Sequence, residues 1–176
     1  MPALEQGLVQ VYIGTGKGKT TAALGLVLRA AGWQLGCFVV QFMKQQPSGE
    51  EEAVRRLSPY VILERYGRPQ FLHKGTVTDE DRALARRGLD RGRAALTSGE
   101  YDVVVLDEVL TAVSFGLLAE ADVLLLMDAR PQCVELVMTG RDAPERILAR
   151  ADLITRMVEE RHPYARGIKA RRGIEY

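Results

Sequence analysis

The chain has 176 residues, of which 47% are hydrophobic and 27% charged, so it has the size and composition of one ordinary globular domain. A formal net charge of +1 gives no reason to expect a nucleic-acid partner. The longest apolar runs, residues 103–106 and 123–127, are far shorter than the roughly 20 residues that cross a bilayer. Residues 1–7 lack the basic and apolar regions of an export signal, so we expect a cytoplasmic protein without a membrane partner.

Short strand-like apolar runs alternate with longer helix-like stretches, which is typical of a parallel sheet with helices on both faces. We therefore predict one α/β domain over residues 1–176, with a doubly wound, mostly parallel sheet and a basic tail at about 159–176. In chain order, the predicted elements are a strand at 8–13, a helix at 19–31, a strand at 36–42, a helix at 50–57, a strand at 60–65, a helix from 78 to about 98, a strand at 102–106, a helix at 119–129, a strand at 133–139, a helix at 144–150 and a strand at 153–158.

The first chemical motif, GTGKGKT, lies between the first predicted strand and the first helix. Its glycines let backbone N–H groups turn toward an anion, the helix N-terminus adds partial positive charge, and Lys19 supplies a full charge. The Thr20 hydroxyl is placed to ligate Mg²⁺, so we predict a P-loop NTPase-like site for ATP in which Lys19 and Thr20 are catalytic. The predicted nucleotide-binding residues here are Gly14, Thr15, Gly16, Lys17, Gly18, Lys19, Thr20 and Thr21.

The phosphate loop is one residue shorter than usual. Gly14 and Gly18 enclose three residues, whereas the common pattern has four before the Gly-Lys-Thr. A tighter loop cannot wrap phosphates in the usual register, so the shortened motif disfavours a γ-phosphate hydrolase or kinase.

An irregular segment, residues 66–77, separates the third predicted strand from the longest helix. It holds glycines, a proline, aromatic and basic groups, and a loop of this length favours a functional explanation. Thr78 and Asp81 then form a capping-box pattern that predicts the start of the helix.

Two carboxylates, Asp107 and Glu108, follow four apolar residues of a predicted strand. This is the pattern of a strand beside the phosphate loop that delivers an acid to a metal ion. We predict Thr20, Asp107 and Glu108 as magnesium ligands, with Glu108 also catalytic. Glu108 could instead be the base that activates water in an ATPase.

Arg141 follows another predicted strand, at the sheet edge where ligands of open α/β sheets bind. We predict that it contacts nucleotide or phosphate; the alternative is a solvated arginine. The tail over residues 161–176 is either a solvated basic segment or a flap over an anionic ligand.

Neither the cysteines nor the histidines show metal-ligand spacing. Cys37 and Cys133 lie in predicted strands, where a lone thiol is usually a small buried hydrophobe. His73 and His162 are spaced for no ligand set with each other or with the cysteines, so we expect no zinc site.

The motifs taken together resemble the P-loop family of ATP:corrinoid adenosyltransferases, also called cob(I)yrinic acid a,c-diamide adenosyltransferases. The resemblance extends over nearly the whole chain, and the shortened loop combined with the last motifs makes it specific. It is carried by residues 14–25, 41–44, 105–108, 139–141, 167–170 and 173–176.

The resemblance implies that ATP binds in reversed sense, with its terminal phosphates in the short loop and its ribose C5′ turned outward. Co(I) of a corrinoid attacks C5′ and releases triphosphate, in adenosylcobalamin biosynthesis or salvage. By motif, Thr20 and Glu108 hold Mg²⁺ with Asp107 beside them, and Arg141 lies at the nucleotide end.

The resemblance also implies a corrinoid-binding loop, a homodimer, and an electron donor protein that reduces cobalt. Where the family has Gly-Phe-Thr-Trp, this chain has Gln70-Phe71-Leu72-His73. We expect Phe71 to pack beneath the corrin and His73 to lie beside it.

Two other functions remain open at this point. One is a P-loop ATPase or small-molecule kinase that acts on the γ-phosphate, with Glu108 as base, and would yield ADP. The other is a non-catalytic switch that binds ATP to regulate a partner.

Overall fold

A computed structural model describes residues 4–44, 48–69 and 75–176 of the chain. The strands found there are β1 (Val9–Ile13), β2 (Cys37–Phe42), β3 (Val61–Tyr66), β4 (Val103–Asp107), β5 (Glu135–Thr139) and β6 (Leu153–Arg156). They form one sheet in the order β3-β2-β4-β5-β1-β6. Every neighbouring pair is parallel, so the described sheet is entirely parallel.

Helices lie in the connections between successive strands, because parallel strands must be joined by crossover connections. They are α1 (Lys19–Gly32), α2 (Gly49–Arg55), α3 (Asp79–Thr97), α4 (Val109–Ser114), α5 (Glu120–Asp128) and α6 (Glu145–Leu148), followed by a 3₁₀ helix at Pro163–Arg166. None of the helices in the described part of the chain is long and apolar enough to span a membrane.

Each face of the sheet has its own hydrophobic core because alternate strand residues point to opposite faces. On one face, Val39 of β2 lies in a cluster with Ala23 and Val27 of α1. On the other, Phe38 lies in a cluster with Leu89 of α3 and with residues of α4 and α5. Helices therefore cover both faces, which confirms the predicted fold class.

The N-terminus of α3 confirms the predicted capping box. The Asp81 backbone N–H donates to Thr78 Oγ1 at 3.3 Å, and the Thr78 N–H donates to Asp81 Oδ2 at 2.9 Å. Arg68 adds two hydrogen bonds of 2.6 Å to the Asp81 carboxylate. This pair fastens the residues after β3 to the start of α3.

Two sequence predictions need correction. Cys133 lies in a turn before β5, closed by the Val134 N–H on the Pro131 carbonyl at 3.0 Å, and not in a strand. The strand β6 ends at Arg156, short of the predicted residue 158. Cys37 does lie in a strand, and burial, aided by nearby Asp102, raises the pKa of its thiol to about 12. The thiol is therefore protonated and unreactive at neutral pH.

Candidate functional site

The predicted site residues meet at the carboxyl edge of the sheet. The phosphate loop follows β1, the two carboxylates lie at the end of β4, and Arg141 follows β5. Lys44, which was not among the predicted site residues, follows β2 and joins them. Ligands of open parallel sheets bind at this edge because the helix N-termini and the strand ends converge there. Lys19 and Thr20 are the first two residues of α1, so their backbone N–H groups face the same edge.

Close backbone contacts set the shape of the phosphate loop. Gly14 has a φ of +117°, and a Cβ placed on it would lie 2.1 Å from the Met157 carbonyl oxygen. The Gly14 N–H donates to the Arg141 carbonyl at 2.9 Å, and the Gly16 N–H donates to the Met157 carbonyl at 2.9 Å. The loop is thus pressed against the residues that follow β5 and β6, and only glycine fits at its first position.

The rest of the loop offers hydrogen-bond donors. The N–H groups of Lys17, Gly18, Lys19 and Thr20 have no hydrogen-bond partner within the described ranges. The Lys19 ammonium donates to the carbonyls of Gly14 at 2.8 Å and Gly16 at 2.7 Å. Burial lowers the pKa of Lys19, Arg141 acts in the same direction, and Glu108 and Asp107 oppose it. A phosphate group is the ligand that this set of donors fits.

Asp107 is the centre of a polar network beneath the loop, and only 1% of the residue is exposed. Its Oδ1 accepts from the hydroxyls of Thr20 at 2.9 Å and Thr139 at 2.7 Å. Its Oδ2 accepts from Gln41 Nε2 at 3.2 Å and from Lys44 Nζ at 2.9 Å. The carboxylate therefore fixes the direction of the Thr20 hydroxyl.

Glu108 reaches the site through a strained backbone. Its φ of +64° is left-handed, a conformation that clusters at functional sites in residues other than glycine. The Thr139 hydroxyl accepts the Glu108 N–H at 2.8 Å. The Thr111 hydroxyl donates to the Glu108 carboxylate and accepts the Arg141 N–H at 3.1 Å. One network thus joins Glu108 to Arg141.

A cavity of about 440 Å³ opens above the loop. Its floor includes Thr20, Lys44 and Glu108, and the chain end Gly173–Tyr176 forms part of a wall. Lys17 Nζ donates to Glu175 Oε1 at 2.9 Å, which holds that wall against the loop. Cavities of this size accommodate small-molecule ligands.

The residues supply part of a magnesium shell, which water or a bound ligand would complete. No group of three or more His, Cys, Asp or Glu side chains in the described ranges could hold a metal ion alone. Mg²⁺ commonly takes one or two carboxylates and completes its shell with water and substrate phosphates. The Thr20 hydroxyl and the Glu108 carboxylate line the cavity and fit that pattern, whereas Asp107 is already hydrogen-bonded through both oxygens.

Some functional residues escaped the sequence analysis, and two predicted ones cannot be placed. Phe71 and His73 lie outside the described residues. The contacts of Gln41 and Thr139 with Asp107 had no local signal, although both residues lie at strand ends within the motifs that carry the resemblance. The role of Glu175 as a partner of Lys17 links positions 158 apart, which no spacing rule predicts.

The chain is similar to known corrinoid adenosyltransferases. The family model described as ATP:corrinoid adenosyltransferase BtuR/CobO/CobP matches residues 5–176. A corrinoid adenosyltransferase of Pseudomonas aeruginosa is 34% identical over 172 residues, which cover 98% of this chain and 85% of that protein. The corrinoid adenosyltransferase CobA of Salmonella typhimurium is 33% identical over 173 residues, covering 98% and 87% respectively.

A third relative is longer. An uncharacterized protein of Nostoc sp. is 37% identical over 172 residues; the match takes in 90% of this chain but the chain spans only 46% of that protein. The full-length family match and the two relatives of similar length confirm the predicted family and enzyme class. The chain belongs to the ATP:corrinoid adenosyltransferase family.

Proposed function

We propose that this chain transfers the 5′-deoxyadenosyl group of ATP to Co(I) of a corrinoid and releases triphosphate. The observation that carries the proposal is the short loop itself: the N–H groups of Gly14 and Gly16 bond to the carbonyls of Arg141 and Met157, while those of residues 17–20 have no partner within the described ranges. Such a loop suits a terminal phosphate held deep, with C5′ directed outward.

The chain contributes alignment and leaving-group stabilisation to this reaction. The electron pair of Co(I) forms the cobalt–carbon bond while the C5′–oxygen bond breaks and its electron pair leaves with triphosphate. The N–H groups of residues 17–20 bind that triphosphate. The Lys19 ammonium moves from the carbonyls of Gly14 and Gly16 to a phosphate oxygen. Preorganised donors of this kind stabilise developing negative charge.

Magnesium belongs to the same proposal. Thr20 and Glu108 would hold the ion, and Asp107 would orient the Thr20 hydroxyl through the hydrogen bond of 2.9 Å. The bound ion supplies positive charge that neutralises the triphosphate. Arg141 is exposed beside the loop, where its backbone carbonyl accepts the Gly14 N–H, and we propose that its side chain contacts the nucleotide.

The corrinoid is proposed to bind at the segment that contains Phe71 and His73. The support is the position of the residues that precede it: a Cβ on Gly67 would lie 2.5 Å from the Lys44 backbone nitrogen. The residues just before that segment therefore pack against the backbone of Lys44, a residue that lines the cavity. We further propose a homodimer in the cytoplasm that receives electrons from a separate protein to reduce cobalt.

The decisive experiment identifies the phosphorus product. The protein is incubated with ATP, Mg²⁺ and a corrinoid kept as Co(I) by a chemical reductant, and products are followed by ³¹P NMR and by the visible spectrum of the corrinoid. We expect triphosphate to appear in step with the cobalt–carbon bond. Release of ADP without corrinoid as the main turnover would instead establish γ-phosphate chemistry with Glu108 as base.

The corrinoid-binding segment has its own test. Phe71→Ala should abolish the spectrum of four-coordinate Co(II) corrinoid, because the side chain proposed to pack beneath the corrin ring is lost. ATP binding should stay nearly unchanged. If only thermal stability falls and the cobalt spectrum is unaffected, the corrin site lies elsewhere.

A further inference from the structure

Lys44 forms the ion pair of a buried carboxylate. Asp107 is 1% exposed, and Lys44 Nζ lies 2.9 Å from its Oδ2. A buried carboxylate without a nearby cation is strongly destabilised, so the ammonium compensates a charge that the fold has removed from water. Within residues 4–44, 48–69 and 75–176, Lys44 is the one cation at ion-pair distance from Asp107.

The backbone holds Lys44 in this position by two unusual features. Met43, immediately before it, has a left-handed φ of +58°. Gly67 packs so closely that a Cβ there would lie 2.5 Å from the Lys44 nitrogen. Left-handed backbone outside glycine persists only where the surroundings enforce it. The placement of Lys44 over Asp107 is thus built into the end of β2.

The same ammonium reaches a second group of the proposed magnesium site. Lys44 Nζ lies 3.5 Å from Thr20 Oγ1, the hydroxyl that Asp107 orients. Lys44, Thr20 and Glu108 line one cavity. A divalent ion bound to Thr20 and Glu108 would stand close to the ammonium, and like charges at such a distance repel.

We propose that Lys44 is the stand-in cation of the site: it neutralises Asp107 until a divalent metal ion binds and then turns to the phosphate groups of the nucleotide. This inference rests on the proposed function for the identity of the ligand. Lys44 differs in this respect from Lys17 and Lys19, whose ammonium groups contact the exposed Glu175 and loop carbonyls. It acts on the triphosphate as an additional cationic donor.

The first test measures metal binding without nucleotide. Mn²⁺ is titrated into the wild type and into Lys44→Met, and free Mn²⁺ is followed by electron paramagnetic resonance. Removal of the competing ammonium should tighten Mn²⁺ binding roughly tenfold or more. Lys44→Arg keeps the charge and should bind Mn²⁺ as weakly as the wild type. Lys17→Met, which removes a lysine of the same cavity that does not touch Asp107, should not tighten it.

One result of the Mn²⁺ titration would overturn the proposal. If Lys44→Met binds Mn²⁺ no more tightly than the wild type, Lys44 does not occupy the metal's place and the proposal is wrong. If that variant does not fold, Lys44→Gln, which keeps an N–H donor for Asp107 without charge, gives the same test. In both neutral variants, Mn²⁺ should raise Tm more than it does in the wild type.

The second test concerns the phosphate. Inorganic tripolyphosphate is titrated calorimetrically in the presence of saturating Mg²⁺. Lys44→Met should bind it roughly tenfold more weakly and Lys44→Arg nearly as well as the wild type. Equal binding by Lys44→Met would overturn the second half of the proposal. Neither measurement uses adenosyl transfer, so failure of the proposed function and failure of this inference can be told apart.

Discussion

The phosphate loop and the chain end line the same cavity, yet they are held by opposite kinds of contact. Gly14 and Gly16 are buried, and their N–H groups bond to backbone carbonyls that follow β5 and β6. Residues 171–176 are exposed, and Glu175 is held there by the side chains of Lys17 and Arg171. Ion pairs between exposed side chains contribute little to stability because water screens them.

This difference separates the functions of the two walls. A loop fixed by backbone contact can hold phosphate in one position, whereas a wall held by exposed ion pairs can move at little cost. Substitutions in the loop are therefore expected to change the reaction rate or the fold, and substitutions in the chain end to change nucleotide affinity.

Lys19→Ala is expected to have the largest effect. Losing its charge should cost about 2–4 kcal/mol of transition-state stabilisation, or roughly a 30- to 900-fold loss of kcat/KM. The circular dichroism spectrum should remain that of the wild type. Lys17→Ala, whose side chain faces the chain end, should lose less than about tenfold. A wild-type rate for Lys19→Ala at saturating ATP would contradict the role proposed for Lys19.

Gly14→Ala is expected to have the second-largest effect, because the added Cβ meets the Met157 carbonyl and the φ of +117° is unfavourable for alanine. We expect a loss of about 1–3 kcal/mol in the free energy of unfolding, measured by urea denaturation. Gly25→Ala is the matched control: Gly25 lies within α1 with open space at its Cβ position, so this change should stabilise by about 0.5–1 kcal/mol. Equal stability of the two variants would show that the loop is not held as described.

Glu175→Gln should have a small effect that is favourable, unlike the losses expected for Lys19→Ala and Gly14→Ala. The change removes a negative charge from the cavity wall and releases Lys17, so KM for ATP should fall by a factor of about two to five. Tm should barely change. Glu160→Gln makes the same change of charge elsewhere in the tail and should leave KM unaltered. A rise in KM for Glu175→Gln would mean that the wall supports the nucleotide through this ion pair.

The smallest expected effect is the contribution of the Glu175 carboxyl to stability as the pH changes. Hydrogen bonds from Arg171 and Lys17 lower the pKa of Glu175 from 4.5 to about 2. Because the folded pKa is the lower one, these contacts contribute stability above pH 4.5 that is lost as the pH falls toward 2. NMR titration of the Glu175 carboxyl checks the value. In Lys17→Met the pKa should rise but stay below 4.5, because Arg171 remains. An unchanged pKa in that variant would show that Lys17 does not hold the wall.

Features that depend on neighbouring residues were predictable from the sequence. The glycine spacing before Lys19 predicted a loop at a helix start, and α1 begins at Lys19. Thr78 and Asp81 predicted a capping box that the structure contains. The apolar run before Asp107 predicted a buried strand that ends in a carboxylate.

Features that depend on distant residues were not predictable from the sequence. The helix α4 escaped because Val109–Ser114 is largely buried and lacks the polar face that marks a helix in a sequence. The network around Asp107 joins Gln41 and Lys44, which are 66 and 63 positions away. Strand order decides which of these residues meet, and no local pattern specifies it. The contact of Glu175 with the loop has the same origin.

The position of β1 has a consequence for how the protein is made. β1 pairs with β5 and β6, and the phosphate loop donates hydrogen bonds to the carbonyls of Arg141 and Met157. Chains emerge from the ribosome N-terminus first, so a nascent chain that ends after β4 carries the whole GTGKGKT sequence without the partners that shape it. ATP cannot stabilise such a chain, and nucleotide affinity measured on ribosome-bound chains of increasing length should appear only once Met157 has emerged.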